Sequence, residues 1–295
     1  MYINNNSMAT NVANTLTSHY SDLKTSTERL STGLRVNSAA DDAAGLAIRE
    51  LMRTDITALQ QGVRNANDAI SLLQTADGAL AVIDEKLTRM KELAEQAATG
   101  TYDSTQRLMI ESEYQAMASE ITRIANATDF NGIHLLDGNL SSDTHVGSGM
   151  TSTGKMKIHF GSANDSAEDY YYIQIGSSTA SSLGVGNESS STSDGRTIST
   201  QEAAQKALVA VTNAVVSKDK IRAHLGALQN RLENTVSNLT TQAENLQAAE
   251  SRISDVDVAT EMTKFVRNQI LTQSSVAMLS QANSMPKMAM QLIGG

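Results

Sequence analysis

Between residues 43 and 98 the apolar positions step by threes and fours: Leu59, Val63, Ala66, Ile70, Leu73, Ala76, Leu80, Ile83, Leu87, Met90, Ala94 and Ala97. Steps that average three and a half put these side chains on one stripe of a long helix, as in a coiled-coil seam. A second seam runs to about residue 254, where Leu225, Leu232, Leu239, Leu246 and Ile253 fall seven apart beside Leu228 and Val236. These two helices are predicted to lie against each other. Between them Ile110, Tyr114, Met117, Ile121 and Ile124 step by 4, 3, 4 and 3. Gly100 ends the first helix and Asp103 or Ser104 caps the next, so short a link predicting an antiparallel pair.

The two ends carry weaker patterns. Leu16, Leu23 and Leu30 recur every seven residues, with Tyr20, Thr27 and Leu34 four after each, and predict a helix to about residue 36. Its composition of Asn, Ser and Thr would make it marginal in water alone, so it needs a partner helix. After Asp255-Val-Asp257 a last helix is expected, carrying Met262, Phe265, Val266, Ile270, Val276 and Leu279, then Met278, Met285 and Leu292 at steps of seven. Residues 271–295 hold one charged side chain, Lys287. An end so uncharged points to burial among other chains. A seam of two apolar side chains per seven residues hardly offsets the ordering cost, about 1–2 kcal/mol per residue, so both ends are expected to be disordered in the free subunit.

Punctuation sharpens these boundaries. Gly33 can stop the first helix, and Ser38-x-x-Asp41 and Ser199-x-x-Glu202 have the form of capping boxes. Gly45, Gly62 and Gly78 each cost about 1 kcal/mol of helix propensity against Ala and mark close contacts or mere tolerance, tolerance being favoured at Gly62. At Thr128-Asp-Phe-Asn-Gly132 the helical pattern stops, and Ser, Thr and Gly dominate until about residue 199. Inside that stretch Lys155-Met-Lys-Ile-His-Phe160 and Tyr170-Tyr-Tyr-Ile-Gln-Ile175 predict a β-hairpin, and 177–200 reads as loop. The Asn-x-Ser/Thr triplets at Asn164 and Asn187 are what chance gives in such composition.

Composition supports an all-helical body with a thin core: of 295 residues 40% are hydrophobic, 3% aromatic, one is Pro and none is Trp. The formal charge of −9, with no long Lys/Arg run, argues against a nucleic-acid partner. The absence of Cys excludes disulfides and thiolate chemistry. No apolar run approaches the ~18 residues a membrane span needs, and no charged-then-apolar leader is visible. His19, His134, His145, His159 and His224 are scattered without a second ligand at helical spacing, which predicts no metal or cofactor. Asp41-Asp42 and Asp255/Asp257 each open a helix, where carboxylates suit the N-terminal dipole without a cation. No spacing suggests a catalytic arrangement, so no enzyme is expected.

The stretch from Glu28 to Ala47, Glu-Arg-Leu-Ser-Thr-Gly-Leu-Arg-Val-Asn-Ser-Ala-Ala-Asp-Asp-Ala-Ala-Gly-Leu-Ala, closely resembles the N-terminal signature of bacterial flagellin. Arg64-Asn-Ala-Asn-Asp68, Asp129-Phe-Asn-Gly132, Gln229-Asn-Arg-Leu232, Ser251-Arg-Ile253, Ala259-Thr-Glu261 and Gln281-Ala-Asn283 are similar to the same pattern, in order and at both ends. The resemblance covers roughly 1–138 and 200–295; the short middle departs from long members with large outer domains. It implies a mainly α fold: residues 1–42 and 255–295 paired as a discontinuous inner-tube coiled coil, and 43–254 as a helical rod with a hairpin and loop region at about 139–198.

By the same resemblance the chain would be a filament subunit, exported without a cleaved signal peptide to the cell exterior and serving motility. Its partners would be copies of itself, an export chaperone, the filament cap and the hook-filament junction proteins. Leu16, Leu23, Leu30, Leu34, Met262, Phe265, Ile270, Leu279, Met285 and Leu292 are the candidate polymer contacts. Leu87-Thr-Arg-Met-Lys-Glu-Leu-Ala-Glu-Gln-Ala97 is similar to the segment read by the vertebrate Toll-like flagellin receptor, with Arg89, Leu93, Gln96 and Glu113 as candidate contacts. Thr88 and Lys91 stand where many recognised members carry Gln and Arg. Alternatively, a cytoplasmic signalling coiled coil such as a chemoreceptor hairpin would share the Ala-rich acidic helices, but would place a helical tip where strands are predicted here. An enzyme hidden in the middle would need a core that some 60 low-complexity residues hardly supply.

Overall fold

The computed structural model describes residues 6–142, 144–146, 153–163, 165, 168–185 and 196–293. Five helices dominate: α1 (Ser7–Thr32), α2 (Ala43–Ala98), α3 (Ser104–Ala127), α4 (Gln201–Ser254) and α5 (Val258–Ile293). Between α3 and α4 lie three two-stranded antiparallel ladders: β1 (Asp129–Phe130) with β2 (Ile133–His134), β3 (His145–Val146) with β4 (Thr153–Gly154), and β5 (Met156–His159) with β6 (Tyr170–Ile173). The chain divides into two compact units, 1–56 with 244–295, and 57–243.

The larger unit owes its core to the α2 seam. Leu73, Leu80, Ile83, Leu87 and Met90 are fully buried, with Tyr114 and Ile121 of α3 and Val211, Leu225 and Leu232 of α4 in the same cluster. Asp103 caps α3 through the Ser104 amide (2.7 Å), and Gln106 completes the capping box. Arg107 donates to the carbonyls of Ala97 and Thr99 (3.0 Å each), tying α3 back to the end of α2.

The Ser/Thr/Gly-rich middle holds more core than its composition suggests. Leu135, Leu136, Leu140, Ile175, Ala180, Val185 and Ile198 join the same cluster. Part of the stretch read as loop is thus packed: Ser178 donates its amide to the Leu136 carbonyl (2.9 Å) and Ile175 to Leu140 (3.2 Å). Backbone hydrogen bonds tie the parts of this segment to each other, and its few apolar side chains pack it into the helical core. Asn164, Asn187 and residues 186–195 lie outside the described residues.

The β5–β6 hairpin pairs Met156 with Ile173 and His159 with Tyr170, as the strand pattern predicts. At Gly62 it corrects the expectation of mere tolerance. A Cβ there would strike the Phe160 carbonyl oxygen, and the adjacent Asn65 side chain donates to the His159 carbonyl (2.8 Å). Gly62 is therefore the place where hairpin backbone rests on α2. Gly62→Ala is expected to push the hairpin off the helix and destabilise this unit by about 1–3 kcal/mol, the usual range for overpacking. Thermal denaturation of the purified chain checks it; an unchanged midpoint would show that the contact does not constrain the fold.

Two caps also differ from expectation. Asp42, not Ser38, caps α2 by accepting the Gly45 amide (2.8 Å). Asp41 instead folds the chain just before it, accepting the Ser38 amide (2.9 Å) and hydroxyl (3.0 Å). At α4 the Thr200 hydroxyl accepts the Ala203 amide (3.2 Å), so the cap is Thr200 rather than Ser199. In both places adjacent residues have capping side chains, and sequence spacing alone does not rank them.

Candidate polymer interface

The smaller unit is built on the antiparallel pair α1 and α5. Three contacts fix its register: Asn6 Nδ2 donates to the Ala282 carbonyl (2.8 Å), the Ser26 hydroxyl donates to Glu261 (2.8 Å), and Leu34 bridges Asp255. Gly33 ends α1 in the left-handed conformation, φ 73°, and its amide returns to the Arg29 carbonyl (2.9 Å). The chain then runs beside the end of α4: the Arg35 amide donates to Ser254 (2.6 Å) and the Val256 amide to Gly33 (3.0 Å). Asp257 caps α5 through the Ala259 amide (3.0 Å) and the Thr260 hydroxyl (2.7 Å). The carboxylates at Asp41, Asp42 and Asp257 thus serve helix starts and the turn before them.

Within this pair the predicted contact residues divide into two groups. Leu16, Leu23 and Leu30 are half-buried on the paired side of α1, and Phe265 and Leu279 are half-buried on α5. Leu34 sits in the bridge at the joint. Met262, Ile270 and Met285 are exposed, with Ile270 at 57%. The side chain of Leu292 lies outside the described residues. The second row of α1 also differs: Tyr20 and Thr27 face solvent, while Val12, His19 and Ser26 turn inward. Both rows fit a heptad equally well; Ser26 takes the inner place because Glu261 on α5 accepts a hydrogen bond from its hydroxyl.

The paired face is unusually polar. On α5 it runs Glu261, Phe265, Asn268, Thr272, Ser275, Leu279, Ala282, Pro286, stepping by fours and threes. Most of the large apolar side chains of α5 lie off that face: Met262, Val266, Ile270, Leu271, Val276, Met278, Met285 and Met288 are all exposed, among polar residues such as Thr263, Arg267 and Gln273. At 100° per residue they wrap the remaining circumference of the helix. Exposed apolar side chains on this scale belong in a covered place. Leu271 and Met278 also wall an open groove of about 250 Å³ against Asn11, Val12 and Thr15 of α1.

Glu261 is the buried charge of this pair. Burial pushes its carboxyl up, but the Ser26 hydroxyl, the Lys264 ammonium (3.1 Å) and nearby Arg29 outweigh that and hold it below its ordinary value. A carboxylate lowered on folding adds stability above its unfolded value and loses it as pH falls through the lowered one. Asp257, held down by the Thr260 hydroxyl and amide, and Asp41, held down by the Ser38 amide and hydroxyl, act in the same direction. Pairing of α1 with α5 is therefore expected to weaken on acidification below the carboxylate range. Glu261→Gln should flatten that dependence in assembled filaments, where the pair is ordered, read as helix loss against pH by circular dichroism; a wild-type and variant that titrate alike would refute the assignment to Glu261.

The candidate receptor contacts sit on the larger unit. Arg89 donates to Glu113 (2.7 and 2.9 Å) and to Glu92 (2.9 Å), and Gln96 donates to the Tyr102 hydroxyl (3.0 Å). Leu93 is 1% exposed and packs in the core, so it presents no surface. Its place three residues after the seam residue Met90 and beside Ala94 was the signal that it faces inward. Among the described residues no cluster of three metal-ligating side chains occurs and no helix is long and apolar enough to cross a membrane.

Comparison with known proteins places this architecture. The bacterial flagellin N-terminal helical region matches residues 3–141, and the C-terminal helical region matches residues 208–293. The chain belongs to the bacterial flagellin family. It is 40% identical to the flagellar filament 33 kDa core protein of Treponema phagedenis over 99% of this chain and 100% of that one. It is 41% identical to a flagellin of Bacillus subtilis, again over 99% and 100%. A solved flagellin of Bacillus cereus is 29% identical, with a TM-score of 0.47 over 63% of this chain and 94% of that one. This flagellin is mainly α, as its seams predict, and the family does not favour the cytoplasmic signalling alternative.

Proposed function

We propose that this flagellin is a structural subunit of the flagellar filament and that α5, with α1 beside it, is the part of the subunit covered by neighbouring copies. Family membership carries the first half: flagellins form the extracellular filament that drives swimming, and the role is structural rather than catalytic. The second half rests on one observation, the apolar surface that α5 turns away from α1. Water-exposed apolar area of that extent is stabilised by removal from water, at roughly 25 cal/mol per Å². A helical polymer supplies it through heterologous contacts, in which one patch meets a different patch on the next copy.

On this reading residues 1–42 and 255–295 line the inner part of the filament and 43–254 the layer outside it. The export chaperone, the cap and the junction proteins are the further partners of the family pattern. For the Toll-like receptor, Arg89, Gln96 and Glu113 remain as the surface contacts and Leu93 as a core residue beneath them.

The test is a chain ending at Val258, which lacks α5. It is expected to keep the helical core of residues 57–243 by circular dichroism and to form no filaments by electron microscopy. Normal filaments from that truncation would overturn the assignment.

A further inference from the structure

Along α4, Ala204, Val211, Lys218, Leu225, Leu232 and Leu239 lie seven apart, and every one is buried. Five are apolar and the sixth is a lysine, 1% exposed. A lysine at a single seam position of a coiled coil lowers stability while specifying register. Here its ammonium meets the carboxylate of Asp84 on α2 and that of Asp219 (2.7 Å). One turn further on, Arg222 makes a forked pair with Asp77 (2.7 and 3.2 Å).

We propose that the pairs Lys218–Asp84 and Arg222–Asp77 form a two-point lock that sets the register of α4 against α2. The apolar seams leave a slip open. On α2, Ala66, Leu73, Leu80, Leu87 and Ala94 are buried at the same seven-residue repeat as the α4 series, so a slip of one heptad, about 10 Å, returns apolar to apolar. The ion pairs do not tolerate it. The two acids are seven residues apart and the two cations four, and the helices run antiparallel, so only the observed register satisfies both. A slip in one direction sets Lys218 beside Asp77 and leaves Arg222 beside Ile70. The opposite slip gives Arg222 the carboxylate of Asp84 but drives Lys218 against Lys91.

Each cation therefore blocks one direction. Lys218 is buried but Asp84, Asp77 and Arg222 stay partly open to solvent, and ion pairs so exposed contribute little net stability, so the worth of these two lies in specificity. The proposal does not depend on how copies of the chain contact each other. Every copy in a repeating polymer has to present one geometry, and this lock would supply it.

The chain has no cysteine, so two introduced ones can carry spin labels without interference. Val82→Cys on α2 and Val209→Cys on α4 are both at exposed positions, and the observed register offsets them axially by roughly 14 Å. Pulsed electron resonance on the otherwise unchanged labelled chain should give one distance. Arg222→Ala should add a population shifted to shorter distance, because the permitted slip brings the labels level. Lys218→Met should add one shifted to longer distance by up to about 10 Å. A single unchanged distance in both variants, or shifts of the same sign, would overturn the lock. Should Lys218→Met fail to fold, the Arg222→Ala variant, altered at a half-exposed site, decides the matter alone.

Discussion

Ile270→Asp is expected to abolish filament formation and leave the free subunit folded. Ile270 sits on the side of α5 away from α1 and is 57% exposed. In the lone chain the substitution changes a surface position, where effects usually stay within about 0.5 kcal/mol, apart from a few tenths for the lower helix propensity of Asp. In the polymer the same carboxylate would be buried against a neighbour without a partner. The penalty for an unpaired buried ion is several kcal/mol, and it recurs at every subunit added. The expected result is an unchanged circular dichroism spectrum with no pelletable polymer on ultracentrifugation. Filaments at wild-type concentration would place Ile270 outside any interface.

The second large effect is a difference in order between the free and assembled subunit, confined to α1 and α5. In the larger unit the α2 seam is closed by Leu73, Leu80, Ile83, Leu87 and Met90, none more than 1% exposed. The α1–α5 seam holds Ser26, Glu261, Asn268 and Thr272, and its leucines are only half-buried. The buried hydroxyl of Thr272 has no hydrogen-bond partner. The only proline of the chain, Pro286, lies within α5 and removes a helix hydrogen bond. Two helices joined by such a face are marginal by themselves, whereas neighbours that cover Met262, Val266, Ile270 and Met278 add the missing apolar burial. Folding of the ends and assembly then become one linked equilibrium.

The sequence makes some of this plain and hides the rest for physical reasons. The extent of α2, 43–98, is legible because a dozen apolar residues keep one period and nothing interrupts it. The α5 surface is legible as missing charge, but not its division into a paired and an outward side. Phe265 and Ile270 are both large and apolar, and only the position of α1 makes the first inner and the second outer. Lys218 escapes a search for hydrophobic periodicity by being charged, so the α4 seam reads as starting at Leu225 when it begins at Ala204. Leu135, Leu136, Ala180 and Val185 escape because isolated apolar residues among Ser, Thr and Gly carry no period at all. Gly62 is visible as a glycine, but its neighbour, the Phe160 carbonyl, is some hundred residues away in the chain.

Hydrogen exchange on the free subunit and on assembled filaments, read segment by segment, tests the central claim most directly. Amides in α1 and α5 should exchange rapidly in the free subunit, while those of α2 around Leu80 to Met90 are protected. In the filament, α1 and α5 should become protected to a level comparable with α2. Equal protection of α1, α5 and α2 in the free subunit would contradict the coupling of terminal order to assembly, as would terminal helices that stay unprotected in the filament.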